Sequence, residues 1–342
     1  MDITKVSGKG NKRLDSQSRK FERSVTEVVG NTPLVRLHRL AKNCRGAVLA
    51  KLEFMNPTGS VKDRMAIYIL DEAVRSGQLK PGGTIVEATS GNTGAAVAMY
   101  AAANGFKAIF TIPDKMSDEK INTLKAFGAE VFVCPTAVPP DSPESYYETA
   151  RRIAAETENC YFIGQYHNLK NIEAHYKLTG PEIWEQTEGK ITYLIGGIGT
   201  GGTISGAARY LKEQNRKIKV VAVDPLGSVY NDYFKTQNLI EPHTYLVEGI
   251  GEDMLCPTID FTVIDEIVQV DDGQSFQTAR ELARTEGILA GGSSGAAVYA
   301  ALKVAERFNE NDLAVVILPD SGLKYLSKFY NDDWMKEKGF LS

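Results

Sequence analysis

Three clusters of small and hydroxylated residues mark places where the chain could hold an anion: Thr89-Ser90-Gly91-Asn92-Thr93-Gly94, Gly196-Gly197-Ile198-Gly199-Thr200-Gly201-Gly202-Thr203 and Gly291-Gly292-Ser293-Ser294-Gly295. In each, a β-like run gives way to a helical pattern. A helix start offers unpaired backbone N–H groups and the positive end of the helix dipole, and glycine lets a ligand approach the backbone closely. One such cluster reads as a plain strand-to-helix turn; three in one chain point to a single small ligand gripped from several sides. The second cluster also matches G-x-G-x-x-G through Gly197, Gly199 and Gly202, with Asp224 ending the next strand, as in dinucleotide-binding proteins. Against that, Thr200 and Thr203 suit a terminal phosphate monoester, and the chain offers no second nucleotide-binding half. A fourth feature, Asn56-Pro57-Thr58-Gly59-Ser60-Val61-Lys62-Asp63-Arg64, sets Lys62 at a strand-to-helix junction. A lone lysine there is a solvated first-turn residue. Beside a phosphate-type loop, a carboxylate-type loop and a hydroxyl at a helix start, it has the surroundings that an aldehyde-phosphate cofactor needs around its Schiff-base lysine.

These residues need a scaffold of alternating elements. The β-branched runs AVLAKLEF, TIVEAT, KAIFTI, EVFVCP, TYLIGG, KVVAVD, IVQV and AVVILP alternate with amphipathic helical stretches, which predicts an α/β fold with a mainly parallel sheet. Ser117 opens a helix with Ile121, Leu124 and Phe127 on one face and a stop at Gly128, and Ser142-Pro143 offers an N-cap with proline in the first turn. No repeat, low-complexity block or Pro/Ser-rich linker interrupts the chain, so its domains interlock; 342 residues make one large or two medium ones. The net charge of -4, from 43 acidic and 39 basic residues, gives no field that would recruit nucleic acid or an anionic membrane. No run reaches the roughly 18 to 20 apolar residues of a membrane span, and the polar, basic first 20 residues read as a solvated arm. Cys44, Cys134, Cys160 and Cys256 lie far apart, without a CxxC pair or a Cys-His cluster, which suggests neither disulfides nor structural zinc and fits a reducing cytoplasm.

The segments NPTGSVKDR, EATSGNTG, GIGTGGTISG and GGSSG, in this order and at these separations, resemble the cysteine synthase and cystathionine β-synthase family of fold-type II pyridoxal-phosphate enzymes, from about Val25 to Leu341. PDKMSDEK, DSPES, QYHN, VDPLGS, VEGIG and LPDSGLKYLSKFYNDDWMKEKGFL are similar to the catalytic core of the cystathionine β-synthase branch, LTGPEIW is shared by both branches, and Tyr166 stands where cysteine synthases usually carry Phe. The resemblance implies two interlocked three-layer α/β domains of the tryptophan synthase β kind. Residues 21–54 and 160–342 form the large cofactor domain, 55–159 a small mobile domain with the carboxylate loop, and 1–20 a flexible arm. It implies Lys62 as Schiff-base lysine and as the base at the substrate Cα, with Gly199, Thr200, Gly201, Gly202 and Thr203 on the cofactor phosphate. Asn92 falls to the ring 3′ oxygen and Ser293 to the pyridine nitrogen. Thr89, Ser90, Gly91, Thr93, Gln165, Tyr166 and Gly249 fall to the substrate.

A hydroxyl opposite the pyridine nitrogen cannot neutralise a pyridinium as a carboxylate could, so the ring stays a moderate electron sink, which favours expelling a β-substituent. The implied reaction is β-replacement on L-serine or an O-activated serine by a thiol, through an aminoacrylate; serine with homocysteine, giving cystathionine, leads. A cysteine synthase using sulfide and a diaminopropionate-type synthase using an amine are the alternatives, and a homodimer is implied by the resemblance alone. Animal members hold haem with a Cys and a His ahead of the core, whereas here the first of each, Cys44 and His38, lie inside it, so no haem is expected. No attached module for S-adenosylmethionine is expected either. Glu252-Asp253 stand where animal members carry Tyr-Asp, beside the mouth of the site, which bears on the second substrate.

Other residues read more plainly. His175 is a structural hydrogen-bonder, and His38, His167 and His243 show no ligand spacing, so no metal is expected. Cys134 is a strand residue, Cys256 a loop thiol, and Tyr146-Tyr147 pack in a helix. The rivals from other classes are a nicotinamide-dependent oxidoreductase, resting on Gly197, Gly199, Gly202 and Asp224, and a catalytically silent binding protein. Lys62, Asn92, Thr203 and Ser293 together argue against the second, which has no chemical need of all four.

Overall fold

The computed structural model describes residues 22–342 apart from Ser90 and Pro140. The arm expected over residues 1–20 lies outside the described residues, as does Ser90 of the carboxylate loop. Each of the eight apolar runs becomes a strand: β2 (Ala47–Leu52), β3 (Thr84–Ala88), β4 (Lys107–Pro113), β5 (Glu130–Cys134), β7 (Tyr193–Gly197), β8 (Lys219–Pro225), β9 (Glu266–Val270) and β10 (Leu313–Leu318). Two more, β1 (Leu34–Arg36) and β6 (Cys160–Phe162), have three residues each, too few for a periodic signal.

The strands form a six-stranded sheet in the order β1-β2-β10-β7-β8-β9 and a four-stranded sheet in the order β5-β4-β3-β6. Only the β1–β2 pair is antiparallel. Strand β10 shows why the runs are apolar throughout: Ala314, Val316 and Leu318 enter one core, Val315 and Ile317 the core on the opposite face. Strand β6 lies just past residue 159 and pairs with β3, so the smaller sheet reaches beyond the 55–159 segment.

The helices are α1 (Lys62–Arg75), α2 (Asn92–Asn104), α3 (Asp118–Ala126), α4 (Tyr146–Glu156), α5 (Lys170–Ala174), α6 (Gly180–Gln186), α7 (Gly202–Gln214), α8 (Tyr230–Thr236), α9 (Asp272–Glu286), α10 (Gly292–Ala305) and α11 (Asp332–Glu337), with a π-helical turn, His175–Thr179, joining α5 to α6. Helices α9 and α10 cover one face of the large sheet and α6 and α7 the other; α1 and α2 cover one face of the small sheet and α4 the other. The architecture is thus a pair of three-layer α/β units. Helix α4 corrects the sequence reading at its start. Its cap is Ser145, whose Oγ accepts the Glu148 N–H at 3.1 Å, while Ser142 and Pro143 lie in the preceding turn; Ser145-x-x-Glu148 was the better signal.

The first turn of α1, which carries Lys62, is bolted to the large sheet by buried charge. Arg64, 1% exposed, gives Nε and Nη2 to Glu53 at 2.7 and 2.8 Å and Nη1 and Nη2 to Glu182 at 2.7 and 2.8 Å. Buried Lys51 also donates to Glu182. Burial works against the Glu182 carboxylate, but Arg64 and Lys51 together hold it down at about 2. Breaking one partner of such a buried set typically costs about 3 to 5 kcal/mol, because the others stay charged and unpaired.

Candidate active site

Helices α1, α2 and α7 begin at the carboxyl ends of β2, β3 and β7, the end at which open α/β sheets bind ligands. The third glycine cluster differs from the sequence expectation, since α10 follows a single bridge between Ala290 and Ser321 rather than a strand. One cavity is lined by Lys62, Gly199, Thr200, Gly201, Thr203 and Gly249. Of the cofactor residues, Asn92, Gly202 and Ser293 are not on its lining, and Gly202 is the first residue of α7. A Cβ there would stand 2.1 Å from Asn171 Oδ1, so glycine makes room for the side chain that braces the loop.

Several neutral hydrogen bonds fix the loop at 199–203. Tyr230 donates to the Gly199 carbonyl at 2.9 Å, Asn171 Nδ2 to Thr200 Oγ1 at 3.0 Å, and Thr258 Oγ1 to the Thr200 carbonyl. Thr203 Oγ1 lies 3.1 Å from His175 Nε2, and His175 Nδ1 lies 2.8 Å from Thr179 Oγ1, the structural role expected of that histidine. Burial, with Lys62 and Arg64 nearby, pushes His175 well below its ordinary value and keeps it neutral. The loop enters α7 at Gly201, with φ +88° and no side-chain cap, and the N–H groups of Thr200, Gly201, Gly202 and Thr203 meet no acceptor among the described residues. Four free donors and two hydroxyls at a helix start, beside the half-buried Lys62, are a donor set for a phosphate ester carrying an aldehyde. The residues present fit pyridoxal phosphate.

Burial pushes the Lys62 amine below the usual lysine value, opposed first by Asp320 and then by Glu252. Ser293, 2% exposed, faces the Gly249 wall, its Oγ 3.9 Å from where a Cβ on Gly249 would stand. Asn92 Nδ2 donates to Asp320 Oδ2 at 2.9 Å, and Asn92 Oδ1 accepts from Lys324 Nζ at 2.5 Å.

Of the described residues expected on the substrate, Gly249 lines that cavity and the others cluster nearby. Thr89 Oγ1 accepts the N–H groups of Gly91 and Gly94, each at 3.2 Å, which leaves its hydroxyl hydrogen to give. Thr93 Oγ1 donates to Gln165 Oε1 at 2.6 Å. Under the loop, buried Glu87 accepts the Gly164 and Gln165 N–H groups at 2.8 and 3.3 Å, and burial pushes it up to about 8. Lys120 on α3 lies against Gly91 and gives Nζ to Glu248 at 2.5 Å; Glu248 also accepts from Lys328 near the C-terminus. Tyr166 packs edge-on to Tyr147, with ring centroids 5.9 Å apart, and Tyr147 lies 4.0 Å from Tyr146. Glu252 acts on all three tyrosines and on Lys62, and burial pushes its carboxyl up to about 8. Tyr146 and Tyr147 thus pack on one another and on Tyr166, the packing role expected of them.

Sequence reasoning missed Asp320, Asn171, Thr258, Tyr230 and Glu87. Glu87 carried a signal, a carboxylate inside an otherwise apolar strand; so did Asp320, a polar residue ending a buried one. Asp224, which the dinucleotide reading needs exposed, is buried and accepts the Asn231 N–H at 2.9 Å, turned into the start of α8. Among the described residues no group of three or more His, Cys, Asp or Glu could hold a metal ion, and no helix is long and apolar enough to cross a membrane.

Fold and site together define an enzyme of pyridoxal-phosphate chemistry. Residues 25–320 match the family described as pyridoxal-phosphate dependent enzyme, and the chain belongs to that family. It is 47% identical over 319 residues to the cystathionine beta-synthase of Apis mellifera, covering 93% of this chain and 63% of that protein. It is 44% identical over 325 residues to the cystathionine beta-synthase of Saccharomyces cerevisiae, covering 92% and 64%. With the O-acetylserine dependent cystathionine beta-synthase of Bacillus subtilis it shares 41% identity over 304 residues, 89% of this chain and 96% of that protein. The chain thus spans less than two thirds of the first two relatives. The oxidoreductase reading is set aside by the family match and by the burial of Asp224.

Proposed function

We propose that this chain carries out β-replacement on L-serine or an O-activated serine with a thiol, and that its foremost reaction joins serine and homocysteine into cystathionine. The observation that carries this reading is the single cavity shared by Lys62 and the unpartnered N–H groups of the 199–203 loop. The names of the three relatives support the reaction class. Pyridoxal phosphate, when bound, supplies an electron-accepting ring that relieves charge at the substrate Cα. Lys62 holds it, takes the Cα proton, and returns a proton to the departing β-oxygen, without which hydroxide is a poor leaving group. The 199–203 donors take the phosphate, Asn92 the ring oxygen, and Ser293 the ring nitrogen without neutralising it. Thr89, Ser90, Gly91, Thr93 and Gln165 hold the substrate carboxylate, and Tyr166 and Gly249 bound its side chain.

A second reading, with O-acetylserine as first substrate, is supported by the name of the Bacillus subtilis relative. Holoenzyme given serine, O-acetylserine or O-phosphoserine against homocysteine, sulfide or an amine donor, with products read by mass spectrometry, separates the two. Cystathionine from serine is the expected result, cystathionine from O-acetylserine alone favours the second reading, and no replacement product from any pair overturns both. We further propose a cytoplasmic homodimer in which residues 55–159, together with strand β6 of their sheet, close against the rest of the chain once the carboxylate is bound. The four free cysteines are in keeping with a reducing compartment.

A further inference from the structure

Asp320, one residue past Pro319 at the end of β10, touches three of the expected site segments. Its backbone bridges Ser60, two residues before Lys62, while the adjoining Pro319 carbonyl accepts the Val61 N–H at 2.8 Å. On its other side its own carbonyl accepts the Gly291 N–H at 3.0 Å, which fixes the turn leading to Ser293. Its side chain, 2% exposed, takes Asn92 Nδ2 at 2.9 Å and the Tyr325 hydroxyl at 2.7 Å, both on Oδ2. The other oxygen, Oδ1, has no hydrogen-bond partner among the described residues.

We infer that Asp320 is a positioning residue that governs Lys62 and Asn92 together, as the counter-charge to the Lys62 ammonium and as the acceptor that aims the Asn92 amide. The inference rests on the proposed roles of those two residues. For Asn92 the orientation follows from Lys324, whose ammonium can only donate: Oδ1 must face it, which turns Nδ2 onto Asp320 Oδ2, and that bond, with Lys324 and Tyr325, opposes the burial that pushes the Asp320 carboxyl up. One amide hydrogen is then committed, and the other remains for a ring oxygen. For Lys62, the acidic groups that face it are Asp320, the stronger, and Glu252, with neutral His175 nearby. Asp320 is itself faced by Lys324, Tyr325, Asn92 and Glu248. A buried amine that must hold a proton between taking it from Cα and returning it to oxygen needs such a negative neighbour, since burial alone favours the neutral form.

Two substitutions separate the roles. Asp320→Asn keeps an acceptor for Asn92 and removes the charge; Asp320→Ala removes both. In the apoenzyme, the pH dependence of acylation at Lys62, followed by peptide mass spectrometry, is expected to shift its midpoint down by about one pH unit in Asp320→Asn; Lys324, which also faces Asp320, shifts in the same direction, and lysines remote from Asp320 are unmoved. In the holoenzyme, the cofactor absorption maximum is expected to move in Asp320→Ala as it does in Asn92→Ala, and to stay near wild type in Asp320→Asn. An unchanged Lys62 midpoint in Asp320→Asn overturns the counter-charge role. A band in Asp320→Ala that stays at wild type while Asn92→Ala moves it overturns the aiming role; if Asp320→Ala does not fold, Asp320→Leu takes its place in that comparison. Wild type that binds no pyridoxal phosphate sinks the proposed function instead, and the acylation midpoint still decides the role of Asp320 at Lys62.

Discussion

The loop at 199–203 and the loop at 89–93 use the same residue types, yet they are held in different ways. Tyr230, Asn171, Thr258 and His175, from different parts of the chain, each contact a carbonyl or hydroxyl of the first through neutral groups. The second is tied locally through Thr89, which accepts from Gly91 and Gly94, and to the segment after β6 through the Thr93–Gln165 pair. It reaches the large-sheet side through charged groups, Lys120 on Glu248 and Asn92 on Asp320 and Lys324. The Lys120–Glu248 pair is 23% and 27% exposed, so solvent reaches it more than the fully buried Arg64–Glu53 pair. Buried neutral bonds suit a loop that keeps its ligand through every turnover. A partly wet ion pair suits one that grips and releases a substrate each time.

The largest expected effect lies between the loops. Lys62→Ala is expected to lower turnover by roughly 10³-fold or more while the 199–203 donors still bind the cofactor phosphate, as read by equilibrium dialysis. Gly202→Ala attacks the braced loop: its Cβ would meet Asn171 Oδ1 at 2.1 Å. It is expected to lose about 1 to 3 kcal/mol of stability in denaturant melts and at least tenfold in cofactor affinity. An unchanged affinity would show that the brace is not what shapes the loop. Gln165→Ala attacks the other loop, and should raise KM for the amino-acid substrate about five- to tenfold with cofactor affinity kept. A loss in both quantities would erase the contrast between the loops.

The smallest effect is on pH dependence. The folded Glu87 carboxyl sits at about 8 against an ordinary 4.5, so the folded chain binds that proton more tightly and loses stability as pH rises through this window. Glu87→Gln cannot lose the proton, and should melt like wild type near pH 4.5 but a few degrees higher at about pH 9. Equal melting temperatures at both ends would mean that Glu87 is ionised throughout.

Much of this was legible in the residues. The eight longer strands follow from apolar runs, and Lys62 and the loops from glycine, hydroxyl and amine types standing together. The three-residue strands escaped because alternation needs length. The braces escaped for another reason: Asn92 and Asp320 lie 228 positions apart, and Glu87 and Gly164 lie 77 apart, so nothing local in either segment announces the contact. Ser145 was misread because Ser142-Pro143 offers a second start three residues earlier, and only the Glu148 N–H decides between them.

The four N–H groups of Thr200 to Thr203 that face no acceptor have a consequence for how much of this protein a cell can keep. A fold that leaves such donors open is completed by its ligand, and a ligand that binds only the folded chain adds RT ln(1 + [L]/Kd) to its stability, about 2.7 kcal/mol at a hundredfold excess over Kd. Abundance then follows vitamin supply. When the cofactor runs short, the population loses active enzyme to unfolding and proteolysis as well as to empty sites.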